Sequence, residues 1–377
     1  MIGVLDFADE IFQTNPWPLY AHYVARDSVA WSPQMNCYFV FGYPNVRAAL
    51  NSPAFTTANP FRRTRTAIGL SALDTDGDMH SRMRSAFLPA FRPAAVADYA
   101  TSLVLPAVRH LLDDVLGSTE PGWLPEVAAR LPVSVAAAIV GLPADAHTFL
   151  RRTMRPLVVF IDHGPVEYAT VVARRDELKA YLRAAMSRST HTRSLIHLLG
   201  AGGLSEPEIV ENALLAIVAA TETTTSAITN VAARIFGQPQ LFDLLRHVPE
   251  LIPAAVAETL RHEPPLHVTL RFTTTEVSMG EHRLPAGSPV QVCLASANRD
   301  PSAYPDPDVW DLHRRGRAPL TFGAGPHHCL GSGLAQVEIE TLIHELVRRF
   351  ESLRVLSPAT PRPRGRTFRS VPDLVLG

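Results

Sequence analysis

The sequence is short of lysine, of net charge and of long apolar segments. Lys179 is the only lysine, and the 35 Lys and Arg residues nearly balance the 36 Asp and Glu residues. A net charge of −1 gives no support to nucleic acid or an anionic membrane as the main partner. No segment reaches the roughly 18 apolar residues that a membrane span requires, and Asp6 precedes any apolar stretch. We therefore expect a soluble, cytoplasmic protein, and the strong bias towards arginine is typical of GC-rich bacterial genomes.

Cysteine is also scarce, with three residues in the whole chain. Cys37, Cys293 and Cys329 are odd in number and far apart, which argues against a disulfide framework and against a C-x-x-C metal or redox motif. This pattern fits a reducing compartment. The chain also lacks a G-x-G-x-x-G fingerprint after a predicted strand, so it has no dinucleotide-binding motif of its own.

What the chain does contain is enough apolar material for a large core. Hydrophobic residues make up 46% and charged residues 19% of the sequence, as in globular proteins. Apolar spacings of three and four predict helices at 103–116, 131–140, 166–186 and 205–236. Alternating and β-branched segments predict strands at 36–41 and within 266–297. Because no repeat or linker divides the sequence, we expect one domain over residues 1–377, mainly α with a smaller segregated β region (α+β).

The longest predicted helix begins at a capping box, with Ser205 as N-cap and Glu208 three residues later, and continues to Gly237. About 31 residues at roughly 1.5 Å each span on the order of 45 Å, the width of a domain of this size. Its centre is nearly all apolar or small. We therefore expect this helix to be buried on most sides.

Cys329 lies in the most informative segment of the sequence, between Phe322 and Ala335, where four glycines precede an amphipathic helix. Backbone N–H groups and the positive end of that helix would stabilise a thiolate, and the glycines allow a flat ligand to approach closely. A soft anionic sulfur on a rigid loop suits iron. The alternative is a small buried hydrophobic residue, the role that we assign to Cys37 and Cys293.

This segment resembles the haem-ligand loop of the cytochrome P-450 family, Phe-x-x-Gly-x-His/Arg-x-Cys-x-Gly. Phe322, Gly325, His327, Cys329 and Gly331 occupy its defining positions. The resemblance implies that Cys329 is the axial thiolate ligand of the iron in haem b and that His327 contacts a propionate, with Phe322 and Gly331 as further haem contacts. It also implies the family's fold, a triangular helix-rich prism with a long central helix over the haem.

A second segment, from Ala219 to Thr224 in the long helix, resembles the family's Ala-Gly-x-Asp/Glu-Thr-Thr motif. The resemblance implies that Glu222 and Thr223 are catalytic and relay protons to reduced oxygen through water, and that Ala219 lies against the haem. A threonine can bond the i−4 carbonyl and so open the helix locally, which would make room for the ligand. Ala220 replaces the motif's glycine. The alternative is that this segment has no catalytic role and that its polar side chains only pack against neighbouring residues.

Glu258 and Arg261 form a Glu-x-x-Arg motif, in which the i,i+3 spacing puts both charges on one helical face. By resemblance this pair is structural and ties its helix to the cysteine loop, whereas an exposed ion pair is the alternative. The family's third partner is an arginine at a position where this chain has Val309. We expect a substitute such as His313 or Arg314.

Three basic residues match positions that hold haem propionates in the family. His80 and Arg84 lie on one helical face at i,i+4, and Arg271 begins the strand-rich region. Pairing of arginine with a carboxylate is bidentate and strong. The alternative for each residue is an ordinary surface charge.

Substrate contacts are expected by family position in the segments 57–73, 154–165, 215–219 and 266–270. Leu266, Val268 and Leu270 predict an apolar wall, and His267 is the polar group there that would orient a substrate. A structural role for His267, satisfied within the core, is the alternative.

The resemblance covers nearly the whole chain and implies a haem-thiolate monooxygenase. One oxygen atom of O2 would enter a small apolar organic substrate, by hydroxylation or epoxidation in bacterial secondary metabolism, and the other would become water. Desaturation and oxidative coupling use the same fold and remain alternatives. A haem protein that binds a ligand without turnover is a further alternative.

The two electrons have to come from outside the chain, which implies a ferredoxin or flavodoxin with its NAD(P)H reductase. We expect the donor to dock on the cysteine side of the haem, where arginines offer positive charge to an acidic partner. These arginines are Arg82, Arg92, Arg314, Arg315 and Arg317. The protein is expected to be a monomer that binds neither nucleic acid nor membrane.

Overall fold

The computed structural model describes residues 4–116, 122–188, 192–356 and 362–377. Helices α1 to α16 are, in chain order, Glu10–Thr14, Trp17–Ala25, Tyr43–Asn51, Arg63–Ala67, Gly77–Phe91, Pro93–Tyr99, Leu105–Leu116, Leu124–Val140, Ala146–Ile161, Tyr168–Arg188, Leu195–Ala201, Glu206–Phe236, Pro239–His247, Ile252–His262, Leu294–Asn298 and Ser332–Arg349. Strands β1 to β7 are Val29–Ser32, Cys37–Val40, Phe55–Thr56, Val268–Thr273, Val277–Met279, His282–Leu284 and Pro289–Cys293. Within the described ranges, no helix is both long and apolar enough to cross a membrane.

The chain divides into two compact units. The first, here called the sheet unit, consists of Met1–Thr57, Ser226–Cys329 and Phe350–Gly377. The second, the helical unit, consists of Ala58–Thr225 and Leu330–Arg349. All the named strands belong to the sheet unit, so the prediction of a mainly α protein with a smaller segregated β region is confirmed. That residues 1–377 form one domain stays a prediction.

In the sheet unit, a five-stranded sheet has the order β1-β2-β7-β4-β3, and β5 and β6 form a separate hairpin. The pair β2 and β7 is parallel, whereas the neighbours β4 and β7 are antiparallel. Alternation along the strands separates two hydrophobic clusters. Val290 and Val292 belong to one cluster with residues of α3, whereas Val268 and Cys293 pack with Phe39 and the N-terminal aromatic residues. The sheet therefore has two covered faces.

The helical unit contains α4 to α11, the first part of α12, and α16. Helix α8 is buried along most of its length and ends at Gly141, which has the left-handed conformation that glycine adopts without strain. The hydroxyl of Thr225 in α12 donates to the Ala128 carbonyl of α8 at 3.0 Å. At the start of α12 the backbone N–H and hydroxyl of Ser205 donate to Glu208 at 2.8 and 2.9 Å. The predicted capping box is therefore present.

Most predicted elements are present, with shifted ends. The predicted strand 36–41 is β2, and the helix predicted over 205–236 is α12. The helix predicted from 131 begins earlier, at Leu124, because α8 continues through Pro132. The helix predicted from 103 is preceded by a π-helical turn, Ala100–Val104, which a periodicity of 3.6 residues does not describe.

Candidate functional site

The cysteine loop of the sheet unit is closed by its own backbone bonds. The Cys329 N–H donates to the Phe322 carbonyl at 2.9 Å, and the His328 N–H donates to the Gly325 carbonyl at 3.0 Å. Gly325 has a φ of +70°, and a Cβ built on it would lie 2.5 Å from the Leu50 carbonyl oxygen of α3. Only glycine fits this position, because a side chain would meet rigid backbone. The loop therefore packs closely against α3 at Gly325.

The three cysteines differ in exposure. Cys37 and Cys293 are buried, and burial raises the pKa of the first to about 12 and of the second to about 11. Both side chains are therefore neutral thiols in the core. Cys329 is exposed at the end of the glycine loop, just before α16. Of the three, it is the one whose sulfur is accessible to a ligand.

Arg271 and His327, two predicted propionate contacts, also lie in the sheet unit. Arg271 is buried on β4 and its Nη1 donates to the Thr269 hydroxyl at 3.1 Å and the Leu270 carbonyl at 3.0 Å. His327 ends the 3₁₀ turn of the cysteine loop, and its Nε2 lies 3.3 Å from the hydroxyl oxygen of Thr57. Arg271 is therefore not an ordinary surface charge, which was its alternative role. His327 is half-buried.

Glu258 and Arg261 form a buried pair rather than an exposed one. Arg261 Nε and Nη2 donate to the two carboxylate oxygens of Glu258, each at 2.7 Å, and both side chains are at most 5% exposed. Arg314 supplies a third member, since its Nε donates to Glu258 Oε1 at 2.9 Å. Val309 contributes its carbonyl, which accepts from Arg261 at 3.2 Å and from Arg314 at 2.6 Å. Arg314, five residues after Val309, thus takes the place of the arginine that the family has at this position.

In the helical unit, His80 and Arg84 lie one turn apart on α5. His80 is 4% exposed and Arg84 is half-buried, so His80 is not a surface charge. The intervening Arg82 points elsewhere, because it forms an ion pair with Glu208 at the start of α12. Gly331, another predicted contact, precedes α16, and its carbonyl accepts from the Ala335 N–H at 2.9 Å.

Glu222 and Thr223, the acid and the alcohol of α12, also belong to the helical unit. The Thr223 hydroxyl donates to the Ala219 carbonyl at 2.8 Å, the i−4 bond that was predicted. The helix is continuous through this turn. Glu222 is half-buried, and its pKa is raised by burial and by the negative charge of Asp162 at the end of α9. This carboxyl accordingly holds a proton more readily than an exposed one.

The structure corrects part of the predicted substrate wall. His267 is fully buried, with its Nδ1 3.2 Å from the Tyr20 hydroxyl and its ring against Trp17. Val268 is 3% exposed and packs in the same N-terminal cluster as Tyr20. These two side chains fill the core and are not placed to contact a substrate. Leu266 and Leu270 are half-buried, and their substrate contact stays a prediction.

Two of the five predicted docking arginines form ion pairs, an exposed one for Arg82 and a largely buried one for Arg314. Arg82 pairs with Glu208, and Arg314 is committed to Glu258 and to three backbone carbonyls. Arg92, Arg315 and Arg317 are exposed. The last two line a cavity of about 170 Å³ in the sheet unit, above the Glu258 network.

Two residues of the site escaped the sequence patterns. Thr57 contacts His327, although the sequence placed it at the edge of a substrate segment. Asp162 acts on Glu222 from a helix end with no motif. A hydroxyl or a carboxylate outside any known spacing gives no sequence signal, because only the fold brings it to its partner.

Comparison with known proteins gives concordant matches. The family model described as Cytochrome P450 matches residues 238–367. The chain is 30% identical over 361 residues to Nocardicin C N-oxygenase of Nocardia uniformis subsp. tsuyamanensis, with 90% of this chain and 89% of that protein covered. It is 29% identical over 368 residues to the Biotin biosynthesis cytochrome P450 of Bacillus subtilis (strain 168), with 92% of each covered. The crystal structure of CalO2 matches with a TM-score of 0.90 at 26% identity, covering 99% of this chain and 98% of that one. The predicted fold is confirmed by this likeness.

Proposed function

This chain belongs to the cytochrome P450 family, and from that premise we propose that it inserts one oxygen atom of O2 into a small apolar molecule, with Cys329 as the iron ligand. It is a P450 monooxygenase whose cofactor is haem b with an axial cysteine thiolate. Cys329 carries the proposal, because it is the exposed cysteine of the three and lies on a loop that Gly325 fixes against α3. When bound, the haem supplies the iron at which dioxygen is activated.

The residues of the sheet unit fit this cofactor. A cysteine thiolate is the ligand of haem iron in this family. Cys329 comes three residues before Ser332, the first residue of α16, and the N-terminus of a helix favours negative charge nearby. Arg271 and His327 supply basic groups for the propionate carboxylates, as do His80 and Arg84 from the helical unit. Phe322, whose carbonyl accepts the Cys329 N–H, and Gly331 stay predicted contacts, as does Ala219.

Glu222 and Thr223 are proposed to control protons. Burial and the charge of Asp162 raise the pKa of Glu222, so its carboxyl takes up a proton more readily than an exposed one. The Thr223 hydroxyl is held by the Ala219 carbonyl, so its oxygen keeps one orientation in which it can accept a hydrogen bond. Glu258 and Arg261 are assigned a structural role, because their groups bond each other and nearby backbone.

The substrate is proposed to be a small apolar compound of bacterial secondary metabolism. Leu266 and Leu270 are the remaining predicted contacts in the stretch after α14. The protein requires an organic substrate, O2 and a redox partner, and we propose a ferredoxin or flavodoxin with an NAD(P)H reductase as that partner. Desaturation or oxidative coupling would use the same residues, and product analysis separates these outcomes from hydroxylation or epoxidation.

The test of the iron ligand is the absorption spectrum of the reduced, CO-bound protein. The wild type should show the red-shifted Soret band of thiolate-ligated haem, and Cys329→Ala should lose it. Cys293→Ala is the matched control, because it removes a buried thiol from the same unit and should keep the band. A folded Cys329→Ala variant that retains the band would overturn the assignment.

A further inference from the structure

Thr57 is a buried threonine at the edge of the sheet, directly after β3. It is 1% exposed, so its hydroxyl has to be satisfied inside the protein. Strand β3 pairs with β4 in the register Phe55 with Thr273 and Thr56 with Phe272. The pairing ends at Thr56, so Thr57 leaves the strand beside Phe272, the residue next to Arg271 on β4. The end of β3 thus lies near the strand position of a predicted propionate contact.

The hydroxyl of Thr57 contacts the second predicted propionate contact of this unit. Its Oγ1 lies 3.3 Å from Nε2 of His327, a hydrogen bond at the long end of the usual range. The backbone of His327 is already fixed, since the loop is closed by the bond from Cys329 to Phe322. Backbone bonds do not determine the rotation of an imidazole ring. A side-chain partner such as Thr57 does.

Threonine suits this task for two reasons. Its β-branched side chain has few rotamers, which holds the hydroxyl in one direction. A hydroxyl can both donate and accept, so it bonds Nε2 in either tautomer of the ring. Valine has nearly the same shape without the hydroxyl, and serine keeps the hydroxyl without the methyl group.

We propose that Thr57 is a positioning residue that orients His327 for its carboxylate partner on the haem. The inference rests on the proposed role of His327 as a propionate contact. In protein metal sites generally, partners outside the coordination shell fix the ligands' orientation and change affinity by about 10- to 100-fold. Thr57 fixes the orientation of His327 in the same way, although His327 holds a propionate at the edge of the haem and not the iron.

The experiment measures haem release from the ferric protein to an excess of apomyoglobin, a readout that does not depend on turnover. Thr57→Val should speed release about 10-fold, and Thr57→Ser should restore a rate near that of the wild type. The reduction potential of Thr57→Val should become more negative, because a carboxylate that loses a hydrogen-bond donor places more negative charge near the iron.

The matched control is Thr273→Val. Thr273 is a buried threonine of the same sheet, and its hydroxyl donates to the Pro285 carbonyl at 2.6 Å. The same hydroxyl accepts from the Ser288 N–H at 2.9 Å, so this variant loses two hydrogen bonds and should still release haem at the wild-type rate. Equal acceleration in Thr57→Val and Thr273→Val would mean general loss of stability, and would overturn the inference.

A double-mutant cycle separates this inference from the proposed function. If Thr57 acts through His327, the combination of Thr57→Val with His327→Ala should release haem no faster than His327→Ala alone. Fast release in His327→Ala with a normal rate in Thr57→Val would overturn the role of Thr57 and leave His327 as a haem contact. A normal rate in His327→Ala would remove the proposed role of His327, and the inference with it. Additive effects would also overturn it.

Discussion

At the scale of single residues, Glu338 is a buried carboxyl of the helical unit whose charge burial disfavours. It lies on α16, is 2% exposed, and its Oε2 has no hydrogen-bond partner among the described residues. Burial alone raises its pKa to about 8. The carboxyl is therefore protonated at neutral pH, because an ionised group would be left uncompensated in an apolar surrounding.

The pH dependence of stability should reveal this proton. In the unfolded chain the carboxyl ionises near 4.5, whereas in the folded protein it ionises near 8, so the folded state binds one more proton between these values. The free energy of unfolding should therefore fall as pH rises through this window, by roughly 1.4 kcal/mol per unit from this group. Glu338→Gln stays neutral and should be more stable than the wild type by about 3 kcal/mol at pH 7.

Urea unfolding of the haem-loaded protein between pH 5 and 8 measures this difference. Glu351→Gln is the control, because Glu351 is exposed and its neutralisation should leave the pH profile parallel to that of the wild type. If the profile of Glu338→Gln is also parallel, the folded protein does not hold this proton.

At the scale of elements, α14 is tied to the loop that follows α15 by the hydrogen bonds of buried charged groups. All five N–H groups of the Arg261 guanidinium have acceptors, two on Glu258 and three on backbone carbonyls. Glu258 in turn accepts from Arg314 and from the Asp311 N–H. Satisfaction of every partner is what makes such a buried network stabilising instead of costly.

Arg314→Ala should therefore destabilise the protein by about 1–3 kcal/mol, because it leaves Glu258 buried with a poorer set of donors. Arg315→Ala is the matched control, since the neighbouring Arg315 is exposed and its loss should change stability by less than about 0.5 kcal/mol. Denaturant unfolding of both variants checks the difference. Equal stability of the two would contradict the assignment of Arg314 as the replacement for the family arginine.

At the scale of the whole molecule, the net charge is only −1, but the arginines differ in whether they are bound within the protein or exposed. Arg314 is bound to the buried Glu258 and Arg82 forms an exposed ion pair with Glu208, whereas Arg315 and Arg317 are exposed beside a cavity. Exposed charge of one sign raises the association rate of a partner of opposite charge and has less effect on the strength of the final complex. We therefore expect these two arginines to guide an acidic electron donor.

The double variant Arg315→Ala/Arg317→Ala should lower the second-order rate constant of reduction by a ferredoxin about 10-fold at low salt. The difference should shrink as salt screens the charges. Arg26→Ala/Arg354→Ala removes two other exposed arginines of the same unit and should have a small effect. Stopped-flow reduction at several ionic strengths measures both variants. An unchanged rate in the first variant would place the docking surface elsewhere.

The cysteine loop and α12 could be predicted because both depend on residues that are close together in the sequence. Glycines around Cys329 set the loop's backbone, and the capping box at Ser205 sets the start of the helix. For His267 the sequence left two roles open, substrate contact or a place in the core. No local pattern names its packing partners, and only the fold brings its ring against Trp17 and Tyr20.

The sequence by itself determined the fold class, the candidate iron ligand, and the acid and alcohol of α12, since each depends on residues close together in the chain. Tertiary structure decided which arginine completes the network of Glu258, which arginines stay exposed, and that Thr57 meets His327. Those pairs are 56 and 270 residues apart in sequence. Contacts over such distances are fixed by how helices and strands pack, and no local pattern encodes them.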